Sequence, residues 1–145
     1  MNIVTQEVDM KKELQMKLMR HLEKLESSTD LEGTAIITKT GLRIASSSLG
    51  NPEISADLHS AGPAALISLG EKLSQGLSYG ELRDIVITGD EGFTIITVGD
   101  PGTKFMLLTH CRKESKLGYY FHRLRKAYRE LMPLLDGVGI SSAVF

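Results

Sequence analysis

Three apolar segments between Leu82 and Cys111 dominate the hydrophobic pattern of the chain. They are short, rich in Ile, Val, Thr, Phe and Leu, and separated by Asp-Glu-Gly at 90–92 and Asp-Pro-Gly at 100–102. Asp-Xaa-Gly is typical of tight turns, because Gly accepts positive φ and the Asp side chain caps the turn. The pattern therefore predicts three antiparallel strands in a meander. The pair Ile95-Ile96 places apolar side chains on both faces, so helices are expected to cover both sides of the sheet.

Helical periodicity marks both ends of the chain. Leucines recur on one stripe from Thr5 to Ser27, and a stripe of Leu, Phe and Tyr runs from Lys113 to Asp136. After the first helix, a hairpin is predicted over Gly33–Thr38 and Leu42–Ser46, with Gly41 in the turn. With one further helix before the meander, the predicted order is α-β-β-α-β-β-β-α, an α+β arrangement.

That further helix, predicted over Ile54–Gly76, lacks the charged outer face of an ordinary amphipathic helix. Its predicted core stripe is Leu58, Ala61, Ala65, Leu69 and Leu73. The opposite side carries Ala56, Ser60, Ala64, Ile67, Gly70 and Ser74. These small residues favour either close packing of a second helix or a poorly charged surface, and composition does not separate the two. Pro63 either kinks the helix or starts a new one in its first turn.

Composition indicates an ordinary single domain. The chain has 145 residues, a net charge of −1 and one cysteine, Cys111. The charge gives no global attraction to nucleic acid, and a single cysteine excludes an internal disulfide framework. No signal peptide, lipidation pattern or run long enough for a membrane span is found. The expected location is the cytoplasm, without membrane insertion.

The sequence carries no recognisable catalytic or cofactor-binding motif. His110 and Cys111 are adjacent, but neighbours on a strand point to opposite faces and cannot converge on one metal ion or form a dyad. The other histidines have no metal-ligand spacing. The prediction is therefore no catalytic residue, no cofactor and no metal.

A basic run near the end of the chain is the remaining chemical feature. Its members are Arg112, Lys113, Lys116, Arg123, Arg125, Lys126 and Arg129. The helical wheel places Tyr119, His122, Lys126 and Arg129 away from the leucine stripe. Such a side is suited to binding RNA or an anionic lipid surface, or it is a solvated face whose charge is balanced by acids elsewhere. The net charge favours the solvated face, so no nucleic acid partner is predicted.

The order of elements and several strings resemble the roadblock / dynein light-chain family of small GTPase-associated proteins. The matching strings are GTAIITKTGLRIASS, AALISLGEKL and FMLLTHCRKESKLGYYFHRLRKAYREL, and the similarity spans about Leu14 to Leu131. The resemblance implies an α/β sandwich with a five-stranded antiparallel sheet in the order 2-1-5-4-3. It places helices 1 and 3 on one face and helix 2 on the other. One domain is expected over residues 1–136, followed by a short flexible tail at 137–145.

Members of this family dimerise through helix 2 and strand 3, and act as scaffolds or regulators of Ras-like GTPases. The resemblance therefore implies a non-catalytic homodimer that binds a Ras-like small GTPase and either anchors it or stimulates its GTP hydrolysis. The residues expected at the dimer or partner interface are Ser60, Ala64, Ile67, Gly70, Glu71, Ser74, Asp84, Val86 and Thr88. The alternative is a small-molecule sensor with a profilin-like or PAS-like fold, which the lack of a convergent polar cluster disfavours.

Overall fold

The computed structural model describes residues 2–47, 61–98, 104–112 and 114–136. Within these ranges, three helices and five strands follow one another in the order that the sequence predicts. They are α1 (Asn2–Ser27), β1 (Leu31–Thr38), β2 (Arg43–Ser46), α2 (Ala61–Gly76), β3 (Asp84–Thr88), β4 (Gly92–Thr97), β5 (Phe105–Arg112) and α3 (Leu117–Asp136). Residues 54–60 of the predicted middle helix lie outside the described residues, as does the 137–145 tail, so the predicted domain boundary at 136 stays a prediction.

The five strands form one antiparallel sheet in the order β2-β1-β5-β4-β3. The strand order expected from the family resemblance is therefore confirmed. β5 lies at the centre and pairs with β1 on one side and β4 on the other. The hairpin turn contains Gly41 at φ 96°, where a side chain would be strained. The sheet ends at two edges, formed by β2 and β3.

The larger core lies between the sheet and the pair α1 and α3. Leu18 and Leu22 of α1 and Leu124 of α3 are fully buried there. Two tyrosines of α3 add polar anchors: the Tyr120 hydroxyl accepts from the Asp30 amide at 2.8 Å, and the Tyr128 hydroxyl donates to the Phe105 carbonyl at 3.0 Å. These bonds join α3 to the connection between α1 and β1 and to the start of β5.

The smaller core lies on the opposite face, beneath α2. Ile67 of α2 is buried against sheet residues that include Ile37, Ile96 and Met106. Small residues of α2 face the sheet here: a Cβ on Gly70 would lie 3.1 Å from both Ile85 Cδ1 and Leu82 Cδ2. The absence of a side chain at residue 70 therefore lets α2 approach β3 closely.

The predicted assignment of the two sides of helix 2 is wrong. Ile67 and Ser74, predicted to point away from the core, are buried, whereas Leu69 and Leu73, predicted to be core, are 59% and 63% exposed. The physical reason is the close approach of helix to sheet, which small residues permit and leucines would prevent. Pro63 is the third residue of α2, within the first turn, where its missing amide costs no helical hydrogen bond.

Candidate interaction surface

The register of β3 against β4 determines which backbone N–H and C=O groups of β3 can pair with another strand. In an antiparallel ladder, residues that exchange hydrogen bonds alternate with residues that do not. The Gly89 amide donates to the Gly92 carbonyl at 2.8 Å, and the Val98 amide donates to the Arg83 carbonyl at 2.9 Å. These bonds follow the register of the β3–β4 pair. Odd-numbered residues of β3 therefore bond to β4, and even-numbered ones direct their backbone groups outward.

The outward groups belong to Asp84, Val86 and Thr88, three of the residues predicted for the interface. Within the described part of the chain, no strand pairs with this edge. The other edge is less suited to pairing, because β2 is only four residues long and begins with the exposed charge of Arg43. Short, charged edge strands resist strand addition, so β3 is the edge open to a partner.

An exposed apolar stripe runs along α2 on the same side of the sheet as the smaller core. We call it the leucine face; it consists of Leu66, Leu69, Leu73 and Leu77. The spacing of three and four residues puts these side chains on one side of the helix. In the single chain these leucines are 37%, 59%, 63% and 56% exposed. Leucines on one helix face usually contact another surface, so this stripe is the strongest candidate for an interface.

Two further apolar side chains are exposed outside this stripe. Tyr79, just after α2, is 76% exposed, and Ile87 of β3 is 46% exposed. Ile87 projects from the same face of the sheet as Ile85, which packs beneath α2. The leucine face and the open edge of β3 are therefore parts of one side of the molecule.

The C-terminal end of α2 is fixed by a Schellman motif. The Tyr79 amide donates to the Ser74 carbonyl at 2.8 Å, and the Ser78 amide donates to the Gln75 carbonyl at 3.1 Å. The buried Ser74 hydroxyl also donates to the Gly80 carbonyl at 2.7 Å. Helix and loop are therefore joined directly before β3, which fixes the leucine face relative to the strand edge.

The structure places the predicted interface residues in different environments. On α2, Ile67 and Ser74 are buried in the chain's own fold, while Ala64, Gly70 and Glu71 are half-buried. Ser60 lies outside the described residues. On β3, Asp84 and Val86 are half-buried and Thr88 is exposed. Their place in an interface stays a prediction.

The leucine face itself was missed by sequence analysis. The sequence pattern assigns Leu69 and Leu73 to the core, because apolar stripes of helices usually face inward, and assigns Leu66 and Leu77 to neither side. The available signal was residue size: Gly70 and Ser74 lie four residues apart on one side, which suits close approach of a helix to a sheet.

His110 and Cys111, considered as a nucleophile or metal pair, have separate environments. The His110 Nδ1 atom is 2.9 Å from the Thr94 hydroxyl oxygen. Cys111 is buried in the larger core, and burial, with a smaller contribution from Glu32, raises the pKa of its thiol to about 12. A thiol that stays protonated is a poor nucleophile and metal ligand. Among the described residues no group of His, Cys, Asp or Glu could hold a metal ion, and no described helix is long and apolar enough to cross a membrane.

The Roadblock/LC7 domain model matches residues 17–109, more than half of the chain. The chain therefore belongs to the Roadblock/LC7 domain family. Among solved structures it is similar to MglB of Myxococcus xanthus, with 18% identity, a TM-score of 0.73, and coverage of 85% of this chain and 90% of that one. Gliding protein MglB of Thermus thermophilus is similar at 16% identity and a TM-score of 0.73, covering 86% and 92%.

A Roadblock/LC7 domain from Streptomyces avermitilis is similar at 18% identity and a TM-score of 0.70, covering 81% of this chain and 97% of that one. A further similar structure is described as MglB with tetrameric arrangement, at 16% identity and a TM-score of 0.75 with 86% and 92% covered. A comparison with curated protein sequences finds no match. Membership of the family places the chain among roadblock-type scaffolds and regulators linked to small GTPase systems, which are regulators rather than classical enzymes.

Proposed function

We propose that the chain works as a homodimer that binds a Ras-like small GTPase and regulates or anchors it. The observation that carries the proposal is the leucine face of α2 beside the unpaired edge of β3. An apolar helix face next to free backbone donors and acceptors offers both hydrophobic burial and directional hydrogen bonds. These are the two components that a stable interface between chains needs.

The outward groups of β3 are suited to pairing with a second copy of the same strand. β3 spans five residues with Val86 at its centre, so a two-fold axis that passes between the two copies of Val86 would pair Asp84 with Thr88 of the second copy. Each Val86 would exchange both of its backbone hydrogen bonds with the other. The sheets would then continue across the dimer, and both copies of α2 would lie on the same side.

The exposure of the leucine face changes which residues are proposed to contact the GTPase. Predicted anchors such as Ile67 are buried, so the contacts to a partner are assigned instead to Leu66, Leu69 and Leu73 and to the half-buried flank at Ala64 and Glu71. The dimer covers the part of this face nearest the two-fold axis and leaves the outer part for the GTPase. A stimulating effect on hydrolysis would act by ordering the switch regions of the partner, which shifts an existing population.

A panel of single substitutions separates the two interfaces. Leu66→Asp, Leu69→Asp and Leu73→Asp each place a charge on the leucine face, while Gln75→Asp places one at an exposed polar position of the same helix. For each variant, mass is measured by light scattering and binding to the GTPase by pull-down in its GDP-bound and GTP-bound states. At least one leucine variant should stay dimeric and lose GTPase binding, and Gln75→Asp should keep both.

Failure of the wild-type dimer to bind the GTPase in either nucleotide state contradicts the regulatory role. Unchanged binding by all three folded, dimeric leucine variants moves the GTPase contact away from α2. The small-molecule alternative has little support among the described residues. The crevice between α1 and α3 holds only about 90 Å³, and the one beside Asp30 and Tyr119 is open and lined mainly by polar and charged side chains. Ligand pockets are usually concave and largely apolar.

A further inference from the structure

The outer side of α1 and α3, opposite to α2, carries a concentration of cations. We call it the basic face; it consists of Lys17, Arg20, Lys24, Arg123, Lys126 and Arg129. Lys17 and Lys24 lie on α1, two turns apart and therefore on one side of the helix. On α3, Arg123, Lys126 and Arg129 repeat every three residues.

The two helices that carry this face are antiparallel neighbours. The Arg123 Nη2 atom donates to the Ser28 hydroxyl at 3.1 Å, next to the end of α1. A crevice of about 90 Å³ continues from this contact between the helices, lined by Lys24 and Arg123 at one end and by His21 and Glu130 at the other. The cations of both helices thus border one common surface.

These cations are not neutralised within the described part of the chain. None of the six makes a described ion pair, whereas the neighbouring Arg125 is paired with Asp84. The acids of the same surface are Glu13, Glu23 and Glu130. Six cations against three acids contrast with a net charge of −1 for the whole chain, so the rest of the chain carries an excess of acid. The charge is therefore polarised across the molecule.

Dimerisation would double this polarity. This step rests on the proposed homodimer: if the sheets continue through β3, both copies of α2 lie on one side and both basic faces on the other. The dimer would then present two coplanar basic surfaces in one direction. Two linked weak sites bind a planar target more tightly than either alone.

We propose that the basic face docks the protein on an anionic lipid surface. Two neighbouring helices give a broad, shallow, positively charged surface, which complements a plane of negative headgroups. An RNA partner is favoured less, because Tyr119 is the one exposed Phe, Tyr or Trp beside this face among the described residues. Unpaired bases need free aromatic faces for stacking. Docking on this side leaves α2 and its proposed partner surface directed away from the membrane.

The test compares two sets of three substitutions that change net charge equally. The first, Lys24→Gln with Lys126→Gln and Arg129→Gln, removes half of the basic face but keeps the Arg123–Ser28 bond. The control, Arg43→Gln with Lys72→Gln and Lys104→Gln, removes three exposed cations elsewhere. Binding of each full-length protein is measured by co-sedimentation with vesicles of phosphatidylcholine, and with vesicles of phosphatidylcholine and phosphatidylglycerol in equal amounts.

Wild type should bind the mixed vesicles and not the neutral ones. Added salt should weaken binding, because it shortens the distance over which charges attract one another. The first variant should lose about fivefold per cation, or roughly a hundredfold, and the control less than about threefold. The inference would be overturned if wild type bound both kinds of vesicle equally, or if both variants lost the same amount of binding. It would also be overturned if wild type bound single-stranded RNA but neither kind of vesicle. Light scattering on the same protein preparations distinguishes failure of the docking from failure of the dimer. A monomer that binds the vesicles contradicts only the proposed dimer, and a dimer that does not bind them contradicts only the docking.

Discussion

The guanidinium of Arg125 on α3 is ion-paired with the carboxylate of Asp84, the first residue of the edge strand β3. The Asp84 side chain is only 10% exposed, and its second oxygen, Oδ1, has no hydrogen-bond partner among the described residues. Arg125 lies on the larger-core side of the sheet, so the pair connects α3 to the strand whose other edge is open. Asp84, predicted as an interface residue, thus has a side-chain role within its own chain.

Arg125→Met should destabilise the fold, because it leaves the Asp84 carboxylate buried without its counter-ion. The expected loss in the free energy of unfolding is on the order of 1–3 kcal/mol. This is less than the loss expected for a fully buried ion pair, because Arg125 is 40% exposed. Urea denaturation measures it. Lys126→Met, one residue later at an exposed position, should change stability by less than about 0.5 kcal/mol. Asp84→Asn with Arg125→Met should cost less than the sum of the two single changes, and strict additivity would show that the pair does not couple.

Ser78→Gly should stabilise the end of α2. Ser78 has φ of 60° at the C-terminal cap, a left-handed conformation that disfavours residues with a Cβ. Glycine removes that penalty, and thermal or urea unfolding should show a gain of about 1 kcal/mol. Ser78→Ala keeps the Cβ and should show no gain; equal gains from both substitutions would mean that the backbone conformation is not the cause.

Gly92→Ala should destabilise the sheet, because no space exists for a side chain at the start of β4. A Cβ at this position would lie 2.8 Å from the carbonyl oxygen of Cys111 on β5. Relief requires a shift of the strand backbone, at a cost of about 1–3 kcal/mol. Gly118→Ala is the matched control, since nothing lies within 4 Å of a Cβ there. Similar unfolding midpoints for wild type and Gly92→Ala would contradict the close contact.

Local elements and their order could be predicted from the sequence because turns and periodicity are local signals. Gly41 and the Asp-Glu-Gly turn at 90–92 limit the strands, and the leucine stripes define α1 and α3. The predicted turn at 100–102 lies outside the described residues. The strand order could not be obtained in this way, since pairing of β1 with β5 joins segments about 70 residues apart. It was expected only through the family resemblance.

The side of α2 that faces the sheet could not be predicted from hydrophobicity alone. The usual rule places leucines inward, but Gly70 allows contact distances to Ile85 and Leu82 that a larger residue would prevent. For β3 the predicted residues Asp84, Val86 and Thr88 have the outward backbone orientation. Their alternation follows from strand geometry, but the choice of even over odd positions depends on the register with β4.

Glu26→Gln should remove part of the pH dependence of stability. Burial raises the pKa of Glu26 above its usual 4.5, repulsion from Glu23 adds to this, and the hydroxyl of Ser47 partly offsets it. The folded state therefore binds this proton more tightly than the unfolded state does. Stability should fall as pH rises from about 4.5 through the raised folded pKa, and the penalty is complete above that value.

Glutamine does not ionise, so Glu26→Gln should be more stable than wild type at neutral pH and should lose this advantage below pH 4.5. Urea denaturation over the range compares the slopes. Glu13→Gln, at an exposed position of the same helix, is the control and should follow wild type. Parallel pH profiles for wild type and Glu26→Gln would contradict the assignment.

The central claim, pairing of two chains through the open edge of β3, is tested most directly by light scattering on wild type and Val86→Pro. The Val86 amide points outward, so proline removes a donor from the proposed inter-chain ladder and none from the β3–β4 ladder. Ile87→Pro is the control, because it removes a donor to β4 and should weaken the fold of each chain. Circular dichroism establishes which variants are folded. Wild type should have twice the 15.9 kDa mass of one chain and folded Val86→Pro the mass of one chain. A wild-type mass of 15.9 kDa, or a folded Val86→Pro that remains dimeric, would contradict it.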